Sequence, residues 1–375
     1  MTALSFTLLV NDAPAGDALL GSLQQIEVED NADLADMMRL RLGVAVNEQG
    51  ARWTLVDEEL FPRLAKLRLL VTIGARFPEA LIETRVIETN VSFAAGPSES
   101  VLNVVAMDPS VMMNLEEKVR AWPDMADSDI ATTIFGEHGA LPDVEGTQPT
   151  RLEIDSTTMQ RTTDIQFLRQ LATRNGYECY LELEPLTGIV MGHFHPPRVD
   201  ESPQGVLSVN LSDSTNVNSF TARYDMLRPT AAEATGVDVE SQEDQQGTAE
   251  SAALTSLGST SAVGGDNPRR VLLSRLGITD AGELQTLAQA VVDQSSLAIT
   301  AEGELHTVDY GGILRAKRTV LVRGAGEQFS GTYYVERVLT VFTPDGATQQ
   351  FGLRRNALGV SSQDDFTNNR AAAPS

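Results

Sequence analysis

The residues best placed to do chemistry lie in "HFH", His193 and His195. On a strand, side chains two apart share a face, so both imidazoles would point the same way. Two imidazoles begin a metal site without completing one, because structural zinc takes four nitrogen or sulfur ligands at recognisable spacing. His138 and His306 are distant in sequence, and Cys179 could join only through folding. Pro196 and Pro197 follow at once and favour a strand end. The expectation is no bound metal. Glu182 and Glu184 form an acidic pair of the sort that serves glycoside hydrolysis. With 52 Asp and Glu in the chain such pairs arise by chance, and neither has the apolar neighbours that would tune its pKa. There is no G-x-S-x-G elbow, no P-loop and no G-x-G-x-x-G opening a helix after a strand. "GAGEQFSG" reads as a hairpin connection that leads into no helix. No catalytic residue and no cofactor are expected.

The elements that would position these residues are legible in part. In "TDIQFLRQLATRNGYECYLELE", Thr163 and Gln166 have the spacing of a capping box. Ile165, Leu168, Leu171 and Ala172 recur at helical spacing. Asn175-Gly176 supplies a left-handed stop. Tyr177, Cys179, Leu181 and Leu183 then alternate with Glu178, Tyr180, Glu182 and Glu184, the pattern of a half-buried strand. The single cysteine, on the apolar side of that strand, excludes an intrachain disulfide and reads as a small buried hydrophobe.

Residues 1–107 hold short β-type runs such as "LSFTLLV", "MRLRLGVAV" and "LIETRVIETNVSF", separated by turn-forming segments, and predict an antiparallel barrel or sandwich. Residues 108–200 predict an inserted α+β domain, with two helical segments before the unit above, the second starting near Ser128-Asp129. Residues 201–230 and 301–358 return to strands, with "TPDGAT" as a hairpin turn. Between them lies an excursion, 231–300. Its first part, 231–268, is nearly devoid of large apolar residues and predicts a flexible segment. Its second part, 269–297, predicts a helix capped by Asp280 and Glu283. Residues 359–375 read as a disordered tail.

The 375 residues carry 28 Lys and Arg against 52 Asp and Glu, a formal charge of −24. Such a surface repels phosphate backbones and anionic lipid, so neither nucleic acid nor membrane is expected as a partner. "MTALSFTLLVNDAP" lacks the basic start and sustained apolar core of a secretion signal, so cytoplasmic synthesis and assembly are expected.

Three longer stretches, in order, carry a resemblance. They are "SVLNVVAMDPSVMMNLEEKVRAWPDMADSDIATTI", "TTDIQFLRQLATRNGYECYLE" and "TVLVRGAGEQFSGTYYVERVLTVFTPDGATQQFGLRRNAL". Together they resemble phage late control protein D and the N-terminal hub part of the valine-glycine-repeat spike proteins of type VI secretion. The resemblance spans nearly all of residues 1–358. It implies a mainly β fold of two related antiparallel β-barrel domains, with an inserted α+β domain and a helical excursion. The positions that carry it are Asp108, Asp129, Asp164, Leu168, Leu171, Gly176, Tyr177, Gly324, Phe329, Gly331, Tyr333, Gly346, Arg355 and Asn356, and it implies structural roles for them. It also implies a homotrimeric baseplate hub adapting a six-fold inner tube to a three-fold spike, within a phage tail or tail-like injection particle. The implied partners are a separate spike protein, an inner tube or tube-initiator protein and other baseplate proteins. One departure is local: where the family often has glycine before the "TVLVRG" strand, this chain has Ala316-Lys317. Two other readings stay open, a tail-associated peptidoglycan hydrolase and a cargo or adaptor binder working through 231–268.

Overall fold

The computed structural model describes residues 4–46, 52–74, 77–96, 99–148, 157–237, 242–263, 268–274 and 280–366. The first half is built from β1 (Leu4–Val10), β2 (Leu23–Asn31), β3 (Met37–Gly43), β4 (Lys66–Ile73), β5 (Glu79–Ser92) and β6 (Val101–Met107). Alternation dictates which side chains turn inward. Ile26 and Val28 of β2, Met38, Leu40 and Leu42 of β3, and Leu67 and Leu69 of β4 share one core.

The insert follows. Pro109–Asn114 is a short 3-10 helix capped by Asp108, whose Oδ1 accepts the Ser110 N–H at 2.7 Å. It stands where the first of the two helical segments was expected and is one short 3-10 stretch. Next come α1 (Asp127–Glu137), β7 (Leu141–Val144), α2 (Asp164–Asn175), β8 (Glu178–Leu183) and β9 (Val190–His195). The strand order is β8-β9-β7, with β8 antiparallel and β7 parallel to β9. Thr163 is the N-cap of α2, and Gly176 ends that helix at φ +69. The capping box does not form: the Thr163 hydroxyl donates instead to Asn114 Oδ1 at 2.7 Å, tying the helix start to the 3-10 segment.

The second half contains β10 (Val206–Ser208) and β11 (Ser219–Tyr224), then an excursion of β12 (Thr230–Val237), β13 (Asp244–Ala249), β14 (Arg269–Leu273) and α3 (Ala281–Ser296). It closes with β15 (Ile299–His306), β16 (Thr319–Arg323), β17 (Gly331–Thr343) and β18 (Gly346–Arg355).

The excursion corrects the expectation of a flexible 231–268. Residues 238–241 and 264–267 lie outside the described residues, but β12 pairs with both β13 and β14, and α3 packs on that sheet. The core there is Ala232, Ala234, Ala249, Val263, Leu284, Ala288 and Val292. Small residues build it by proximity. A Cβ on Gly247 would stand 2.3 Å from the Gln285 nitrogen, so its absence lets the helix backbone reach the strand. Thr260–Ser261 also pairs with Ala357–Leu358. The expected 269–297 helix starts at Ala281, with Asp280 Oδ1 accepting the Glu283 N–H at 2.9 Å. The expected tail is tied down as far as Phe366, for Asp364 accepts the Thr332 hydroxyl at 2.6 Å. Residues 367–375 lie outside the described residues.

The fold is mainly antiparallel β, and its two halves are hydrogen-bonded into one thirteen-stranded sheet. Its path runs β11-β15-β18-β17-β2-β3-β6-β5-β4-β1 and ends on the short strand Ala13–Pro14, while β16 pairs with β17 and β10 with β16 off this path. This is one four-strand unit used twice: β2-β3-β6-β5 recurs as β11-β15-β18-β17. The match reaches individual residues. β5 bulges against β6 between Val86 and Glu88, and β17 bulges against β18 between Val335 and Arg337. Leu64 at φ +62 and Lys317 at φ +64 precede β4 and β16. Their N–H groups donate to the carbonyls of Val86 and Val335 at 2.8 and 2.9 Å. No helix among the described residues is long and apolar enough to cross a membrane.

Candidate functional site: the joint between insert and barrels

The even-numbered side chains of β8 turn away from the core of the insert. Glu178, Tyr180 and Glu182 line up with His195, His193 and Met191 across the β8–β9 ladder. Sequence alternation marks this face as solvated. It is buried, because it is pressed onto the second half of the sheet. Arg354 Nη2 reaches Glu178 Oε1 at 3.0 Å, and the Tyr334 hydroxyl donates to Glu178 Oε2. Glu182 Oε1 accepts from Arg315 Nη2 at 2.9 Å and from Arg318 Nη1 at 3.0 Å. Burial pushes Glu178 up to about 7 against the pull of Arg354 and Tyr334. At Glu182 burial pushes the same way but is outweighed by Arg318, Arg315 and Lys317, and the carboxyl falls to about 2. The difference is one of cation count.

Lys317 lies at the centre. Its Nζ donates to Asp30 Oδ1 at 2.7 Å and to both Asp36 oxygens at 2.8 and 2.9 Å, and it stands 5.0 Å from the centre of the Tyr180 ring. Burial would strip its proton, but Asp30 and Asp36 outweigh burial and raise its pKa. Asp30 is held low for the complementary reason: Lys317 and Arg315 overcome its own burial. Asp36 and Asp108 are both driven up, chiefly by burial. The Asp36 N–H donates to Asp108 Oδ2 at 2.7 Å, so the chain of bonds runs from the second half through the first to the start of the insert.

A cavity of about 480 Å³ opens beside this network. Its lining includes Val71, Ile73 and Leu81 from the first half together with Met191, His193 and Arg318. His193 and His195 share a face as their spacing requires, and the structure adds a third residue, Asp143 of β7, which is in register with His193. Ligand atoms of the three lie within 4.8 Å of one another. They form a hydrogen-bonded set as they stand. His193 Nδ1 is 2.9 Å and Arg198 Nη2 2.6 Å from the same Asp143 oxygen, and His195 Nδ1 is 2.7 Å from the Pro196 carbonyl. Burial brings His195 down to about 4, so its ring is neutral at physiological pH.

The acidic pair does not form an acid/base couple. Glu182 is pinned by two arginines, and Glu184 is lowered by bonds from Thr187 and Leu186, so neither holds a proton at neutral pH. Burial pushes the Cys179 thiol up to about 12, which keeps it protonated.

The positions that carried the resemblance fall into two groups. In the insert, Leu168 and Leu171 are core, and Tyr177 packs edge-on against Phe194 at 5.3 Å. A Cβ on Gly176 would stand 3.1 Å from Ala290 of α3. Asp129 Oδ2 accepts the Ala126 N–H at 3.3 Å. Asp164 is buried and takes bonds from His138, Lys118 and Gln160 at 2.7, 2.5 and 2.7 Å. In the second half, Arg355 is fully buried under Tyr333 and donates to the carbonyls of Ser330, Leu257 and Gly359 at 2.9, 2.6 and 2.7 Å. Asn356 Oδ1 accepts the Leu257 N–H at 2.9 Å, and the Tyr333 hydroxyl donates to the Phe329 carbonyl at 2.8 Å. Gly331 abuts Arg355, and Gly324 abuts the Val209 carbonyl. Gly346 follows the β17–β18 turn at φ +139. Gly326–Phe329 forms one helical turn where none was expected. The sequence reading missed Lys317, Asp30, Asp36, Arg315, Arg354 and Asp143. The one signal for them was the non-glycine residue before β16.

Solved structures share this architecture. A tail protein from Neisseria meningitidis aligns with a TM-score of 0.63 at 12% identity, covering 94% of this chain and 97% of its own. The 43 kDa tail protein of prophage MuSo2 from Shewanella oneidensis gives 0.63 at 12%, covering 95% and 100%. The E. coli c3393 protein, described as a type VI secretion component similar to the phage T4 tail proteins gp27 and gp5, gives 0.56 at 10%, covering 100% and 79%. The chain has the fold of phage tail and type VI secretion proteins of the tail-hub kind. No curated protein matches the sequence. A family model, the Alg8 N-terminal domain, matches residues 56–342, and the chain belongs to that family.

Proposed function

We propose that the protein is a non-enzymatic structural hub in the baseplate of a contractile tail or injection particle. It acts as a homotrimer that joins a six-fold inner tube to a three-fold spike. A relation to phage late control protein D and to the hub part of spike proteins is included in this reading. One observation carries it: the four-strand unit occurs twice per chain in the same order. Three copies offer six such units to a six-fold neighbour, while the particle keeps true three-fold symmetry for the spike. The ionic joint supports it, because a hub must transmit load without its domains shifting, and buried paired charges fix one arrangement. Partners are the spike, the tube or its initiator and other baseplate proteins. The test is the symmetry of the assembled particle: a three-fold hub is expected, and a two-fold or single-copy position overturns the reading.

A further inference from the structure

The two imidazoles that fall short of a metal site in the sequence gain a third partner in the fold. Asp143 of β7 lies in register with His193 of β9, and His195 follows two residues on, on the same face. One ligand atom of each lies within 4.8 Å of the others. The chain has 52 Asp and Glu, yet no other such group of three comes together among the described residues. We propose that Asp143, His193 and His195 bind one divalent transition-metal ion of the zinc type, which pins β7 to β9. Nothing in this site depends on the three-copy reading.

The hydrogen bonds identify the ligand atoms. A carbonyl only accepts, so the 2.7 Å contact to Pro196 puts the His195 proton on Nδ1 and leaves the lone pair on Nε2. A histidine oriented by a backbone oxygen at its other nitrogen has the usual setting of a metal ligand. Nε2 faces the Tyr180 hydroxyl at 3.3 Å, a long bond that costs little to give up. His193 Nδ1 and Asp143 Oδ2 are 2.9 Å apart. Metal bonds of about 2.0–2.2 Å put neighbouring ligands about 3 Å apart around one ion. An ion can therefore touch both where they stand, once the His193 proton has moved to Nε2.

The competitor is Arg198, whose Nη2 is 2.6 Å from the same Asp143 oxygen. It has a second partner in Glu201, 3.6 Å from Nη1, and its side chain is 36% exposed, so it can turn outward. Two imidazoles with one carboxylate suit zinc, cobalt or nickel, whereas calcium and magnesium take oxygen ligands. Three protein ligands leave a position for water. The cavity that His193 helps to line supplies the way in.

The experiment is a titration of the untagged full chain with Zn²⁺, read by calorimetry, and with Co²⁺, read by its visible spectrum. One ion per chain is expected, and no uptake of Ca²⁺. His195→Gln and Asp143→Asn should each weaken binding at least about 100-fold, beyond what loss of an outer partner costs. Circular dichroism checks that each variant is folded. His306→Gln, which removes an exposed histidine, should leave binding unchanged. Arg198→Gln releases the carboxylate at a partly exposed position and should tighten binding; it decides the matter if a ligand variant fails to fold. Binding no tighter in Arg198→Gln than in the parent overturns the ligand role of Asp143. Binding that survives Asp143→Asn, or that His306→Gln abolishes, places the ion elsewhere and overturns the site, as does a parent chain that takes up neither ion.

Discussion

Lys317 occupies a left-handed backbone conformation that costs a lysine about 1–2 kcal/mol relative to glycine. The conformation persists because the side chain it aims inward neutralises Asp30 and Asp36, and removing one member of a buried pair costs about 3–5 kcal/mol. Lys317→Met should therefore lose about 3–5 kcal/mol in urea unfolding. Lys317→Gly should recover only the backbone part. A glycine variant as stable as the parent would show that the pairing contributes little. Glu182 makes a pH prediction. Its folded pKa, about 2, lies below the ordinary glutamate value of 4.5, so the unfolded chain binds more protons between those values. Its contribution is full above about pH 4.5 and is lost as the pH falls towards 2. Glu182→Gln should flatten the acid limb of stability against pH, measured by circular dichroism. An unchanged limb would remove Glu182 from acid unfolding.

At the scale of elements, the excursion turns on one close approach. Gly247 lets β13 touch α3, and a side chain there must push the helix away. Gly247→Val should cost about 1–3 kcal/mol by overpacking. The unit should also retain slow amide exchange along β12, which is bonded on both edges. Rapid exchange throughout β12 would mean that the small sheet opens independently. The insert is held differently. Its hydrophobic core is its own, and Glu178 and Glu182 tie it to the large sheet through ion pairs.

For the whole molecule, charge sets the terms of association. Three copies at −24 carry 3 × −24 = −72. Like-charge repulsion between copies extends about 10 Å at 0.1 M salt and about 30 Å at 0.01 M. Formation of the proposed trimer should strengthen as salt is raised, with sedimentation as the measurement. Association that weakens with salt would point to specific ion pairs as the main contribution at the contact.

The sequence by itself determined what repeats over short range. The α2 stripe of Ile165, Leu168 and Leu171, the Gly176 stop, the β8 alternation, the Asp280 cap and the mainly β texture are properties of neighbours along the chain. Only the tertiary structure decided what long-range closure brings together. Lys317 meets Asp30 and Asp36 across more than 280 positions, and Asp143 meets His193 across 50. It also turned Glu178 and Glu182 from surface residues into a buried joint, since alternation shows that two faces differ but not what covers each. The strands of the excursion escaped notice because what they bury is chiefly alanine, whose burial depends on how closely two backbones approach. The resemblance implied two related halves, but the residues by themselves did not show the twofold use of the four-strand unit. Its halves agree in bulge position and backbone angle while their side chains differ, because pairing geometry constrains the backbone more tightly than residue type.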